Sequence, residues 1–436
     1  MPLSPLFHPV SFDDLPGWAE DDPSQAFAAF RRSAFHILKR PYKTGSLGVE
    51  FAAFEAAYTE ARGIEALSRH DARDFFERHF APALIVPALT ETLHATSPPS
   101  VLPDISPIRG ESKPAASPSL ITNVSGRVPG MTRVTSPLVG EMSDRTEGGN
   151  VGHCALKPRR PDQKGFVTGF YEPIVRASPV GTASFTVPIH SRPADLIDID
   201  DHNRPPRMDP YLAFARQTTA GPVEYHDRPA IDAGILNGQG LELAWVADKV
   251  DLFFAQVQGS ARLAMTDGTM RRISYAAKSG QRFTGIGRVL ADIGEIPLEK
   301  VTMQSIRAWL KANPGRVDEI LHHNRSYVFF KWAEVDDPAL GPIAAAKVPL
   351  TTGRSIAVDR LLHTFGTPFY IDAPALTAFE ARPFRRLMIA QDTGSAIVGP
   401  ARGDLFAGSG DAAGEIAGVV KAAADFYALL PRRLVA

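Results

Sequence analysis

Cysteine is almost missing from this chain. The one thiol in 436 residues, Cys154, can close no intramolecular disulfide and complete no CxxC metal site. A disulfide-stapled scaffold and a zinc ribbon are therefore excluded, and Cys154 reads as a bystander in a loop. Net charge is missing too. Lys and Arg number 47 against 48 Asp and Glu, so no global field draws the chain to nucleic acid or to an acidic membrane. No apolar run reaches the length of a membrane span, and no transmembrane span is expected. The opening "MPLSPLFHPVSFDDLPGW" carries no basic segment, apolar core or small-residue cleavage site, so no signal peptide is visible. HExxH and EF-hand patterns are absent, and the adjacent His322 and His323 point apart on any regular element. "GIGRVLADIGE" has glycines but opens no strand-to-helix phosphate loop. Neither a metal nor a cofactor is expected.

What is present divides along the chain. Its length allows two or three domains, each with a sizeable core. Residues 23–92 read as helices: "PSQAFAAFRRSAFHILK", "LGVEFAAFEAAYTEAR" and "DARDFFERHFAPALIV" place aromatic residues near helical spacing. Residues 93–160, typified by "SPPSVLPDISPIRGESKPAASPSL", are rich in Ser, Pro and Gly without a sustained period. That composition buries too little apolar surface to offset ordering entropy, so the stretch reads as a disordered insertion. From Gly165 onward β-branched and aromatic runs dominate: "GFVTGFYEPIV", "ASFTVPI", "VDLFFAQVQGSARLAM" and "SYVFFKW" read as strands. "VTMQSIRAWLKANP" interrupts them as a helix, and "DAAGEIAGVVKAAADFYALL" reads as a final helix capped by Asp411. The fold class is mainly β with a helical N-terminal part.

The stretch "RLMIAQDTGSAIVG" looks at first like the catalytic turn of an aspartic peptidase. Such an enzyme needs two carboxylates sharing a proton, and the chain has a single Asp-Thr/Ser-Gly turn. A peptidase is the remote reading. The wider stretch "QDTGSAIVGPARGDLFAGSGDAAGE" offers three carboxylates, Asp392, Asp404 and Asp411, spaced by glycines. Ordering a turn suffices for Asp392 and capping a helix for Asp411. Asp404, between Gly403 and the apolar pair Leu405-Phe406, fits neither role. A carboxyl beside apolar surface has a raised pKa, as a general acid requires.

This segment resembles the three-aspartate domain that closes the MltA family of lytic murein transglycosylases. The resemblance extends upstream through "TGFYEPIV", "RPADLI", "AGILNGQGLELAWVADKVDLFFAQVQGSARL", "NRSYVFFKW" and "GPIAAAKVPLTTGRSIAVD", in the family's order, over about residues 160–436. Departures are Ser395 where the family usually has Gly, Phe170 where Tyr is commoner, and the Pro/Ser-rich insertion. No lipid-attachment cysteine stands near the start, although well-known members are lipoproteins.

The resemblance implies a double-psi β-barrel with an inserted second β-domain and an N-terminal helical cap. The barrel would join 161–174 to 339–436, the insert would span 175–338, and 23–92 would be the helical part. The implied reaction is non-hydrolytic cleavage between N-acetylmuramic acid and N-acetylglucosamine in peptidoglycan, leaving a 1,6-anhydro end. Asp404 would be the catalytic acid and then base, with Asp392 and Asp411 in support. Thr168, Tyr171, Gln258 and Ser260 stand in the family-like blocks as candidate substrate-binding residues. Implied partners are peptidoglycan glycan strands and other cell-wall enzymes, in the periplasm or at the outer membrane. A hydrolytic glycosidase using the same groove and a non-catalytic peptidoglycan-binding protein are the rival readings.

Replacing 93–160 with a short flexible linker should leave the melting temperature and activity near wild type, because such a segment contributes no core. A large fall in melting temperature would show that it packs on the folded body.

Overall fold

The computed structural model describes residues 2–86, 164–200, 202–334, 337–394 and 396–435. The expected insertion at 93–160 and Cys154 lie outside these residues. The chain opens with strand β1 (Phe7–Pro9) and helices α1 (Ser24–His36), α2 (Glu55–Gly63) and α3 (Arg69–His79). Aromatic side chains on these helices, including Phe27, Phe30, Tyr58 and Phe75, are buried in one cluster with Ile356, Ile389 and Leu405 of the last hundred residues. "FAPALIV" does not continue α3. Pro82 disfavours helical backbone at the residue before it, and Phe80–Ile85 forms strand β2.

Next come β3 (Gly165–Glu172), β4 (Ile174–Ser178), β5 (Val187–His190), β6 (Leu196–Asp198), β7 (Phe214–Thr218) and β8 (Gly221–Val223). They are followed by α4 (Arg228–Asp232), β9 (Glu242–Val246), α5 (Lys249–Gln258), β10 (Ser260–Met265) and β11 (Met270–Lys278). Helices α6 (Ile286–Asp292), α7 (Met303–Ala312) and α8 (Val317–His322) precede β12 (Val328–Ala333). The last part holds β13 (Ser355–Val358), β14 (Pro368–Ala373), β15 (Phe384–Asp392), β16 (Arg402–Ser409), α9 (Asp411–Val419) and β17 (Lys421–Pro431).

Two sheets organise these elements. The first runs β1-β2-β17-β14-β15-β13-β16-β3, and β3 also pairs with β17. Six strands, β17-β14-β15-β13-β16-β3, therefore close into a ring. The second sheet runs β12-β11-β10-β4-β9-β5, beside a small sheet β6-β7-β8.

The chain passes from the ring to the second sheet between β3 and β4, through Glu172-Pro173-Ile174. Glu172 is completely buried at that crossing. Its carboxylate accepts from Arg262 Nε (2.7 Å), Arg272 Nε (2.6 Å) and the Ser409 hydroxyl (2.7 Å). The two guanidinium groups also donate to the carbonyls of Pro338 and Leu340, where the chain returns toward the ring. A second buried pair, Asp21 with Arg354, joins the N-terminal segment to the start of β13 at 2.7 and 2.8 Å.

Two sequence expectations are corrected. "VDLFFAQVQ" is the helix α5, not a strand. Asp248 caps it by accepting from Val250 N–H, and Gly259 closes it at φ +78°. It was hard to read because Leu252 and Ala255 face one core cluster while Val250, Phe253 and Val257 face another. A helix apolar on both sides loses its 3.6-residue period. The final helix stops at Val419, because Lys421–Pro431 alternates as a strand with Ala422, Ala424 and Phe426 buried. Asp411 is the first helical residue and does not cap. Gly410 holds the capping position with φ +86°.

Glu172→Ala leaves two buried guanidinium groups without their carboxylate and should cost about 3–5 kcal/mol in urea unfolding. A loss below ~1 kcal/mol would show that apolar packing alone holds the crossing.

Candidate active site

Strand register builds one polar wall. In the ring, Ala357 of β13 lies opposite Asp392 on β15 and opposite Asp404 on β16. Asp392 reaches that position because the pairing skips Gln391, a bulge that shifts the β15 register by one residue. Gln391 turns inward and satisfies its amide on Ser355, Ala29 and Ser33. Along β16, Leu405 joins the core cluster of the ring, and Gly403 faces Ile356 so closely that a Cβ there would sit 2.5 Å from its Cδ1. Asp404 and Phe406 alternate to the other face. Asp392, Ala357 and Asp404 thus share one wall of a cavity of about 190 Å³. The opposite wall comes from the second sheet and the end of α5, through Gln258, Ser260, Ser274, Tyr275 and Lys278.

Asp404 is 5% exposed. Its parallel neighbour across the ladder is Thr168, whose hydroxyl donates to Asp404 Oδ1 at 2.5 Å. Arg402 Nη2 in turn donates to Thr168 Oγ1 at 2.8 Å. Burial raises the Asp404 carboxyl above the usual range, against the opposing pull of Arg402 and the Thr168 hydrogen bond. Among the described residues Oδ2 has no hydrogen-bond partner, and it is not sealed from the cavity. Burial also pushes the half-buried Asp392 up to about 6, opposed by the amides of Ala345 and Thr393 and assisted by the charge of Asp404. Ala345 N–H donates to Asp392 Oδ1 at 3.1 Å. Such a wall favours the protonated form of Asp404 and still stabilises the ion once the proton has left.

The residues singled out from sequence fall into three groups. Asp404, Asp392, Gln258 and Ser260 line the cavity together. Thr168 lies behind that lining, 4% exposed, as the hydrogen-bond partner of Asp404. Tyr171 and Asp411 lie elsewhere. Tyr171 takes the other parity of β3, and its ring packs against Gly414 of α9 in the helical core. Only its backbone N–H touches the site, donating to Gln258 Oε1 at 3.1 Å. Asp411 is exposed at the start of α9, where its charge suits the helix N-terminus. Sequence reading missed Phe170, Lys278, Tyr275 and Arg402. The alternation in "TGFYE" places Phe170 on the side of Thr168, so it was legible. The β11 residues were not, because nothing local shows which face of that strand meets the ring.

Among the described residues no group of three or more His, Cys, Asp and Glu could hold a metal, and no helix is long and apolar enough to cross a membrane.

The raised pKa of Asp392 couples the site to stability. An unperturbed aspartate titrates near 3.8, and below that pH both folded and unfolded chains hold the proton. Between 3.8 and about 6 the folded chain holds it longer, so stability falls as pH rises through this window. The fall is up to about 3 kcal/mol at 1.36 kcal/mol per pH unit, less whatever solvent screening removes at a half-buried group. Asp392→Asn should therefore exceed the parent in urea stability at neutral pH by ~1–3 kcal/mol and lose that advantage below about pH 4. A stability gap independent of pH would refute the burial of this carboxyl.

Two family models match the chain. Residues 166–331 match the MltA specific insert domain, and residues 354–430 match the 3D domain. The crystal structure of a membrane-bound lytic murein transglycosylase from Agrobacterium tumefaciens is 42% identical, covers 98% of both chains and superposes with a TM-score of 0.76. That of MltA from Neisseria gonorrhoeae is 26% identical over 98% of this chain and 92% of its own, with a TM-score of 0.67. Membrane-bound lytic murein transglycosylase A of Vibrio cholerae is 36% identical over 200 residues. That match takes in 44% of this chain and about half, 53%, of the relative's length. The chain belongs to the MltA family of lytic murein transglycosylases.

Proposed function

We propose that this protein is a lytic transglycosylase that cleaves the β-1,4 bond between N-acetylmuramic acid and N-acetylglucosamine in peptidoglycan. The observation that carries the reading is Asp404: buried, raised in pKa, held at Oδ1 by Thr168 and free at Oδ2 toward the cavity. Protonated at Oδ2, Asp404 gives its proton to the glycosidic oxygen as an oxocarbenium-like centre develops at C1. Ionised, and supported by the Thr168 hydroxyl and the Arg402 charge, it takes the proton of the sugar's C6 hydroxyl. That oxygen then closes on C1 to give the 1,6-anhydro end. No activated water enters, so one carboxylate serves both halves of the reaction. The relatives' shared name supports the same substrate.

In this reading the closed ring of β3 and β13 to β17 is the double-psi barrel, and the sheets built from β4 to β12 are the inserted domain. The helices of residues 24–79 are its helical cap. The glycan lies in the cleft between ring and insert, with Gln258 and Ser260 among its hydrogen-bonding groups. The protein works in the periplasm at the outer membrane, where its substrate lies.

A second reading has a specific basis. Asp392 and Asp404 flank Ala357 on one wall, which puts their backbones about 10 Å apart at a strand spacing of ~4.8 Å. An inverting glycosidase also uses a pair of carboxyl groups, about 6.5–9.5 Å apart across the scissile bond. The products separate the two readings.

Digests of purified sacculi analysed by mass spectrometry should contain 1,6-anhydromuramic ends, whereas free reducing ends would establish hydrolysis instead. Asp404→Asn should lower turnover by about 10²–10⁴ while glycan binding persists. Asp392→Asn should cost less. Because the acid must begin protonated, the rate should be full below the Asp404 pKa and fall as pH rises through it. Near-normal turnover in Asp404→Asn would mean that another residue supplies the proton.

A further inference from the structure

The two walls of the cavity differ in charge. The ring contributes Asp392 and Asp404, and the second sheet contributes Lys278 at the end of β11, beside Ser274 and Tyr275. Lys278 is half-buried, and no carboxylate or hydrogen-bond acceptor among the described residues engages its ammonium. Burial alone pushes its pKa down to about 8, with no neighbouring charge offsetting it. Arg228, also in the lining, is different. Its guanidinium donates to the carbonyls of Asn324 (3.0 Å) and Ser326 (2.8 Å) and lies over the rings of Phe253 and Tyr327. Arg228 is thus engaged by the fold through two hydrogen bonds and two ring contacts, whereas Lys278 is a desolvated cation with no such contacts among the described residues.

A neutral sugar gives such a cation little reason to be there, because hydroxyl and acetamido groups are served by Ser, Asn and Gln. A muramoyl residue differs from N-acetylglucosaminyl by one group, a lactyl ether at O3 that ends in a carboxyl. In a bare strand that carboxyl is ionised. In a substituted strand it forms an amide, and the stem peptide supplies the carboxylates instead. The distinction bears on register. In an alternating glycan only every second bond leads to the anhydro product, and a slip of one sugar presents the wrong bond to Asp404.

We propose that Lys278 holds a carboxylate of a muramoyl residue and so sets the register in which the cleavable bond meets Asp404. This rests on the glycan reading of the site. The ion pair forms in a partly desolvated cavity, where charge-assisted hydrogen bonds are strong. Lys278 is thus a specificity determinant that binds substrate without taking part in bond cleavage.

The test is binding measured by calorimetry on the full-length Asp404→Asn protein, which does not consume its ligand. Three oligosaccharides of equal length serve as probes: a peptide-free muramoyl–glucosaminyl oligomer, its peptide-bearing counterpart and a neutral chitooligosaccharide. Adding Lys278→Met should weaken the muramoyl oligomers about tenfold and change chitooligosaccharide affinity less than twofold. Lys278→Arg should recover most of the loss. An effect on the peptide-free oligomer assigns the lactyl carboxylate, and an effect confined to the peptide-bearing one assigns the stem. Equal losses on muramoyl and neutral oligomers, or no loss on either, overturn the proposal. So does a lower melting temperature in Lys278→Met, which would make Lys278 structural. If the parent binds none of the three oligomers, the glycan reading of the cavity fails, and that is a separate result.

Discussion

A carboxylate that has lost all contact with water, Glu172, sits where the chain leaves the closed ring for the second sheet. Burying that charge is tolerable only because two guanidinium groups and a hydroxyl take up its oxygens. The same guanidinium groups reach the carbonyls where the chain comes back, so one ionic cluster ties both crossings. An apolar substitute could fill the volume, but it would not fix the angle between the sheets. That angle matters because the cavity has one wall on each sheet. If the crossing loosened, Asp404 and the Gln258–Ser260 turn would no longer face one another.

Within the cavity the same rule, that a buried charge needs a partner, is applied unevenly. Glu172 and Asp21 have full sets of guanidinium partners. Asp404 has a hydroxyl at one oxygen and an arginine held one hydrogen bond away, which steadies the ion without committing the proton. Asp392 has a backbone amide. Glu172 and Asp21 are thus committed to guanidinium partners, whereas Asp404 keeps one oxygen open to the cavity. Under-solvation of a carboxyl is a cost in folding and a resource in proton transfer.

The sequence by itself determined a good deal. Alternating β-branched and aromatic runs marked β3 of the ring and β5 and β12 of the second sheet, and the aromatic spacing of α1 and α2 announced helices that bury one face. The odd position of Asp404, a carboxyl between Gly403 and Leu405-Phe406, was visible without coordinates because no turn or cap explained it. The resemblance to the family's blocks also singled out Gln258 and Ser260, which the structure places in the cavity lining.

Tertiary structure decided what periodicity cannot encode. It made "VDLFFAQVQ" a helix, since an element buried on both sides carries no amphipathic stripe. It cut the last predicted helix at Val419, where pairing of Lys421–Pro431 with three other strands outweighed the helix propensity of an alanine-rich run. It sent Tyr171 into the helical core while keeping its neighbour Phe170 at the cavity, a choice of strand face that only the closed ring fixes. It also set Lys278 across from two acids that lie more than a hundred residues away in the chain. Which residues share a strand face follows from local alternation, but which faces meet depends on long-range pairing and on the buried ions that hold it.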